Sequence, residues 1–221
     1  LEGAAEADKV ALEMLKNLSK KGGKVLSGCT VLGLKFKKAC ISAVQTNIGE
    51  MQCDMVAIAT GAATQNGLKG FEWRLPMQNK KGLIVQTAPL PQLINHVLMT
   101  NDVHFKQNTD GSFTAGEIYS GDLKKGIVPL DLAHDVLSRI SKKLNSSENL
   151  TPTNIKIGTR PVPIDGFPVV GEIEGYKGAF IAVMHSGVTL APLVGELLAS
   201  EMLQATKSSL LNSFRPIRFS G

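Results

Sequence analysis

Phe180-Ile181-Ala182-Val183-Met184-His185-Ser186-Gly187-Val188-Thr189-Leu190-Ala191-Pro192 is the stretch on which the fold turns. Its first half belongs to a continuous apolar run, Ala179–Met184, which reads as a buried strand. Its second half opens a helix over about Thr189–Leu203, where Leu190, Leu193, Val194, Leu197 and Leu198 form a broad apolar stripe. Pro192 then falls in the first helical turn, where its missing N–H costs little. Strand, glycine turn and helix start follow one another directly. The first helical turn leaves backbone N–H groups unpaired and carries the positive end of the helix dipole. Such a junction can bind an anion or stabilise negative charge developing on a ring. The same pattern also describes an ordinary strand–helix connection.

Working outward, a second strand of the same kind is Met55–Ala59, which runs into Ala59-Thr60-Gly61-Ala62-Ala63. Small residues there let backbone approach a ligand closely. Two continuous apolar runs, each followed by a small-residue turn, are predicted to lie side by side in one buried sheet. Ahead of them, Ala4–Ser19 reads as an amphipathic helix, with Val10, Ala11, Met14, Leu15 and Leu18 at helical spacing and Gly22-Gly23 as its stop. Short strands are predicted at Lys24–Leu26, Thr30–Phe36, Cys40–Thr46 and Glu50–Cys53, with Asn47-Ile48-Gly49 as a turn. Beyond Phe71 come a strand at Gly82–Thr87, a segment bounded by Pro89 and Pro91, and strands Val103–Gln107 and Ser112–Gly116 flanking the hairpin pair Asp110-Gly111. Leu130, Ala133, Leu137, Ile140 and Leu144 mark another helix, ended by Asn145-Ser146-Ser147, and Asn154–Arg160 is a further strand.

The passage Gly158-Thr159-Arg160-Pro161-Val162-Pro163-Ile164-Asp165-Gly166-Phe167-Pro168-Val169-Val170-Gly171 holds one arginine among prolines and glycines that restrict its backbone. An arginine fixed in this way can form a two-pronged bond to a carboxylate. A surface arginine before a rigid turn would look the same.

Composition narrows the function classes. The chain has 221 residues, 43% of them hydrophobic and 19% charged, with a net charge of +5. That is enough apolar material for a core and too little charge for disorder. The most apolar stretch, Ala179–Leu203, is interrupted by His185, Ser186, Gly187, Pro192 and Glu196, so no membrane span is expected. The first residues, Leu1-Glu2-Gly3, lack both a methionine and the pattern of a signal peptide, and the chain is expected to begin inside a longer protein or to have been trimmed. Lysine clusters at Lys20/Lys21/Lys24 and Lys35/Lys37/Lys38 carry few aromatics between them, which reads as a solvated face and not a nucleic-acid footprint. Cys29, Cys40 and Cys53 are odd in number and lack close pairing. Together with His96, His104, His134 and His185, they offer no metal-ligand spacing, and the expected compartment is the reducing cytoplasm.

Read in order, these blocks resemble the C-terminal part of the D-amino-acid oxidase family of flavin-dependent oxidoreductases, which includes glycine and sarcosine oxidases. The opening helix with Lys24–Val31 and Thr46–Gly61, Lys81–Val85, the Asp110–Gly116 hairpin, the Gly158–Gly171 run, His185–Pro192 and the closing Phe214-Arg215-Pro216-Ile217-Arg218-Phe219 match in the family's order over nearly the whole chain. The resemblance implies an α/β fold: a remnant of an FAD-binding Rossmann-like domain in residues 1–70 and 161–221, and an antiparallel-sheet substrate domain in 71–160. It implies non-covalent FAD as cofactor and an amino acid or amine as substrate. Arg160 stands where family members pair with the substrate carboxylate. Gly187, Val188, Thr189 and Leu190 stand where backbone N–H groups face the pyrimidine end of the flavin. Val31 stands near the adenine, Thr60 and Gly61 near the phosphate–ribose stretch, and Pro163, Asp165 and Gly166 in the turn beside the ring.

Two departures qualify this. The family's opening strand–GxGxxG–helix unit, its pyrophosphate anchor, does not occur in these residues, so FAD binding by this chain is expected to be weak or absent. The turn Met184–Gly187 is also shorter than in well-known oxidases, and no cysteine lies near the Gly158–Gly171 or His185–Pro192 runs for a covalent flavin link. The leading expectation is an FAD-dependent amino-acid or amine oxidoreductase present as a C-terminal portion. The alternative is a non-catalytic structural or interaction subunit that keeps the fold without the dinucleotide motif.

Overall fold

The structure is a computed structural model, and it describes residues 5–68, 70–119, 130–144, 150–204 and 206–220. In chain order the elements are helix α1 (Ala7–Lys20), strands β1 (Val31–Lys37), β2 (Cys40–Thr46), β3 (Gly49–Gln52) and β4 (Val56–Ile58), and the short helix α2 (Thr64–Gly67). Strands β5 (Met77–Thr87), β6 (Leu98–Met99), β7 (His104–Gln107) and β8 (Phe113–Tyr119) precede helix α3 (Leu130–Leu144). Then come β9 (Pro152–Pro163), β10 (Val169–Glu172), β11 (Ala179–Val183) and helix α4 (Gly187–Gln204), followed by 3-10 turns at Ser209–Phe214 and Pro216–Phe219. The class is α/β, with a mixed sheet resembling part of a dinucleotide-binding domain and a separate antiparallel sheet.

The chain divides into two compact units, residues 1–23 with 80–159 and residues 24–79 with 160–221. In the first, Leu83 and Val85 are buried while Ile84 between them is exposed, the alternation of a sheet covered on one face. The sheet order is β6-β7-β8-β5-β9. Ala133, Val136, Leu137 and Ile140 of α3 supply the helical stripe that packs with Leu83, Val85, Phe105 and Phe113. Asp110 and Gly111 form the β7–β8 turn: Gly111 has φ +87°, and Asp110 Oδ1 accepts from the Ser112 N–H at 2.9 Å.

In the second unit, β1, β2 and β3 form an antiparallel meander. A second sheet has the order β10-β11-β4. Within it β11 runs parallel to β4, with Ala179, Phe180 and Ile181 opposite Val56, Ala57 and Ile58. The two apolar runs are thus neighbours, as their sequence predicts. Ile58, Val169, Ile181 and Val183 build one core with Phe71, Trp73 and Leu75. On the sheet's other side Val194 and Leu198 of α4 pack with Val170, Phe180, Met184 and Leu211.

Several details differ from the sequence expectations. Residues 24–26 form no strand, and β10 lies inside the glycine- and proline-rich passage, where a four-residue strand is too short to show a period. Helix α4 begins at Gly187, so Pro192 is an interior residue beyond the first turn. The unit division departs from a break near residue 70 in two places. Residues 71–79 belong with the parallel sheet because Phe71, Trp73 and Leu75 are buried in its core. Helix α1 belongs with residues 80–159, where Glu6 accepts a bond from Thr109 at 3.0 Å. The helix stop at Asn145-Ser146-Ser147 lies outside the described residues.

Candidate functional site

Every residue singled out from the sequence as a site candidate falls in the second unit, so its placement can be built there from the register upward. Because β4 and β11 are parallel and Ile58 sits opposite Ile181, their carboxyl ends share one edge. The turn Thr60-Gly61 leaves that edge after β4, and the turn into α4 leaves it after β11. Ligands of open α/β sheets bind outside the carboxyl ends of the strands, where nothing blocks approach of the backbone.

At the first turn, the Thr60 carbonyl accepts the Ala63 N–H at 3.0 Å, and the Gly61 carbonyl accepts the Thr64 hydroxyl at 2.7 Å. Gly61 adopts φ +55°, which side chains rarely tolerate, and a Cβ built on it would meet nothing within 4 Å. The turn therefore presents open backbone. At the second, the Leu190 N–H closes the first helical bond onto the Ser186 carbonyl at 2.9 Å. The N–H groups of Gly187, Val188 and Thr189 have no earlier helical carbonyl to reach, so these, and not Leu190, are the donors at the helix start. Further along, Pro192 cannot bond the Val188 carbonyl, which is released four residues back.

Arg160 lies on β9 and is half-buried, with no salt bridge to it among the described residues. Val162 and Pro163 beyond it are buried. The chain then turns: Gly166, at φ +82°, donates to the Pro163 carbonyl at 2.9 Å, and Asp165 Oδ1 accepts the Phe167 N–H at 3.1 Å. Arg218 Nε donates to Asp165 Oδ2 at 2.7 Å and its Nη2 to Oδ1 at 3.3 Å. The Arg218 guanidinium holds the Asp165 carboxyl below its ordinary range. Asp165 is therefore occupied in fastening its own turn. Val31 opens β1 opposite Thr46 and is half-exposed, on the meander and not on the β4–β11 sheet.

The side chains that sequence reasoning passed over are Glu201, Arg215 and Arg218. Arg215 bonds Glu201 through two nitrogens at 2.6 and 2.5 Å, and Glu201 is 6% exposed. Burial pushes the Glu201 carboxyl up, but Arg215 and the Ser208 N–H outweigh it, and the group titrates below its ordinary value. The signal available was the spacing of two arginines in the closing Phe214–Phe219 block. Two cavities lie elsewhere. One of about 990 Å³ opens at the amino ends of the parallel strands, between Cys40, Met55, Gly178 and Arg215, and one of about 670 Å³ lies beside Leu68, Arg74 and Phe219. Neither is lined by a predicted site residue. Among the described residues no group of His, Cys, Asp and Glu could hold a metal, and no helix is long and apolar enough to cross a membrane.

Among known proteins, the family described as FAD dependent oxidoreductase matches residues 1–201. The chain is 28% identical over 206 residues to hydrogen cyanide synthase subunit HcnC of Pseudomonas aeruginosa, covering 90% of this chain and 48% of that protein. It is 23% identical over 186 residues to glycine oxidase of Pseudomonas putida, covering 83% of this chain and 50% of that one. The chain thus spans about half the length of these curated relatives. The crystal structure of L-proline dehydrogenase from P. horikoshii superposes with a TM-score of 0.84 at 22% identity, over 96% of this chain and 59% of that one. Glycine oxidase from Bacillus cereus superposes with a TM-score of 0.75 at 20% identity, over 90% and 55%.

Proposed function

Since the chain belongs to the FAD dependent oxidoreductase family, we propose that it is the part of an amino-acid or amine oxidoreductase that holds the substrate carboxylate and one end of a non-covalently bound FAD. The observation that carries this reading is the parallel register of β4 and β11, which brings the open Gly61 turn and the donor end of α4 to one sheet edge. The donor set suits the cofactor: N–H groups of Gly187, Val188 and Thr189 at a dipole's positive end favour negative charge developing on a ring. Thr60 and Gly61 would lie along its phosphate–ribose stretch and Val31 near its adenine, while Pro163 and Gly166 shape the turn beside the ring. When bound, the flavin supplies a two-electron acceptor for hydride from the carbon bearing the amine, leaving an imine that water hydrolyses.

Arg160 binds and orients. Its guanidinium carries no ion pair among the described residues, so both prongs of its fork are available to a carboxylate. The relatives named for glycine and L-proline oxidation support an amino-acid or secondary-amine substrate class. The unit of residues 24–79 and 160–221 is the proposed cofactor side and the sheet unit of residues 80–159 the proposed substrate side, and three free cysteines fit a reducing, cytoplasmic setting. In the full-length protein, Arg160→Ala should lower kcat/KM on amino-acid substrates by about 2–4 kcal/mol and Arg160→Lys by less, with flavin content unchanged. Near-wild-type kcat/KM in Arg160→Ala would remove the carboxylate role.

A further inference from the structure

The C-terminal segment carries a chain of bonds that links the carboxyl end of α4 to the turn after Arg160, and no part of the proposed function above requires it. Glu201, near the end of α4, is bonded through two oxygens to Arg215. The Arg215 carbonyl accepts from Arg218 Nη1 at 3.2 Å. Arg218 then reaches the turn after Arg160 in three ways: both Asp165 oxygens, at 2.7 and 3.3 Å, and the Phe167 carbonyl at 3.1 Å. Its guanidinium carbon also lies 4.6 Å from the centroid of the Phe219 ring. Each guanidinium nitrogen is thus in use, and the side chain is 21% exposed. A solitary exposed ion pair contributes about 0–1 kcal/mol. An arginine that bonds one carboxylate twice and also two carbonyls sets geometry as well as energy.

The opposite flank of the turn is fastened independently. The Ile164 N–H donates to the Pro76 carbonyl at 2.9 Å, and Gln78 Nε2 donates to the Ile164 carbonyl at 2.7 Å. Between Arg160 and Asp165 the backbone passes through Pro161 and Pro163, whose φ angles are fixed by their rings. So stiff a connection transmits the placement of Asp165 to the strand end that carries Arg160.

We propose that Arg218 is a positioning residue: through Asp165 and Phe167 it sets the direction in which Arg160 meets a substrate carboxylate, and through Arg215 and Glu201 it ties that direction to α4. This rests on the carboxylate role of Arg160 proposed above. Arg218 bonds the Asp165 carboxylate and the Phe167 carbonyl, and it acts on Arg160 through that turn.

A double-mutant cycle tests this in the full-length, flavin-loaded protein. The probe is acetate, titrated by the change it makes in the visible flavin absorption. Arg160→Ala should weaken acetate about 30-fold or more, and Arg218→Ala about tenfold with flavin content unchanged. The double variant should be no weaker than Arg160→Ala alone. Arg218→Lys, which keeps the charge without the fork, should fall between wild type and Arg218→Ala. Asp165→Asn keeps the shape of the turn and its bond to the Phe167 N–H, and carries the same comparison where Arg218→Ala does not fold. Wild-type acetate affinity in Arg218→Ala beside a weakened Arg160→Ala overturns the positioning role alone. So does a double variant in which the two losses multiply. Unchanged affinity in Arg160→Ala overturns the carboxylate reading, and the positioning role with it.

Discussion

At Glu201 the balance between burial and pairing decides the side chain's contribution. Its carboxylate is almost wholly removed from water, which costs free energy, and the Arg215 fork together with the Ser208 N–H at 2.8 Å offsets that cost. Removing one partner leaves the other charge buried alone. Glu201→Ala should therefore destabilise the protein by about 3–5 kcal/mol in urea unfolding. The same pair carries a pH signature. Glu201 titrates below its ordinary value when folded, so it releases its proton more readily there than in the unfolded chain. Its stabilising contribution is complete above the unfolded value and is lost as pH falls through the depressed folded one. Asp165 behaves alike beside Arg218. Thermal unfolding of wild type should drop in midpoint as pH falls from neutrality to below the normal carboxylate range. Asp165→Asn should show a smaller drop, and an equal drop in both would deny the Arg218–Asp165 pair its share.

Helices α1 and α3 show how the same periodicity leads to opposite energetics. Both have apolar residues at helical spacing, yet α3 buries Ala133, Val136, Leu137 and Ile140 while α1 buries none. Leu137→Ala should cost about 2–5 kcal/mol, the loss of transfer free energy plus a cavity. Leu15→Ala on α1, where Leu15 is 44% exposed, should change stability by under about 0.5 kcal/mol. Denaturant midpoints of the two variants in the 221-residue chain check this directly, and comparable losses would mean that something covers α1. Helix α4 has its own test. Pro192 is exposed, inside the helix and unable to bond the Val188 carbonyl, so Pro192→Ala should stabilise the chain by about 1–3 kcal/mol. A lowered unfolding midpoint would show that the interior proline is required by the geometry of the helix start.

For the molecule as a whole, the decisive quantity is cofactor retention. On the proposed reading the donors in these residues would address the ring and ribose ends of FAD, and no GxGxxG unit is present in them to take the pyrophosphate. Purified alone, the 221-residue chain should carry little or no flavin, and any that it does carry should be released on denaturation. Visible absorption before and after heating measures both. Full occupancy would mean that another set of residues anchors the phosphates.

The sequence by itself determined the elements with long, regular patterns: the α3 stripe, the Asp110-Gly111 hairpin, and the two apolar runs that became β4 and β11. These were legible because periodicity and turn chemistry are local properties, written within a dozen residues. Proline and glycine spacing also made Arg160 and the turn at Gly187 candidates, whose roles stay proposals. Tertiary structure alone decided the rest. Whether α1 buries its stripe depends on what lies against it, and residues 71–79 joined the parallel-sheet core because Phe71, Trp73 and Leu75 pack into it beside Ile58, Val169 and Ile181. The helix start moved to Gly187 because the Ser186 carbonyl was free to accept the Leu190 N–H, which removed Leu190 from the donor set. Arg218 reaches Asp165 across 53 residues of chain. No local pattern encodes such a pair, because only the packing of distant segments brings donor and acceptor within bonding range.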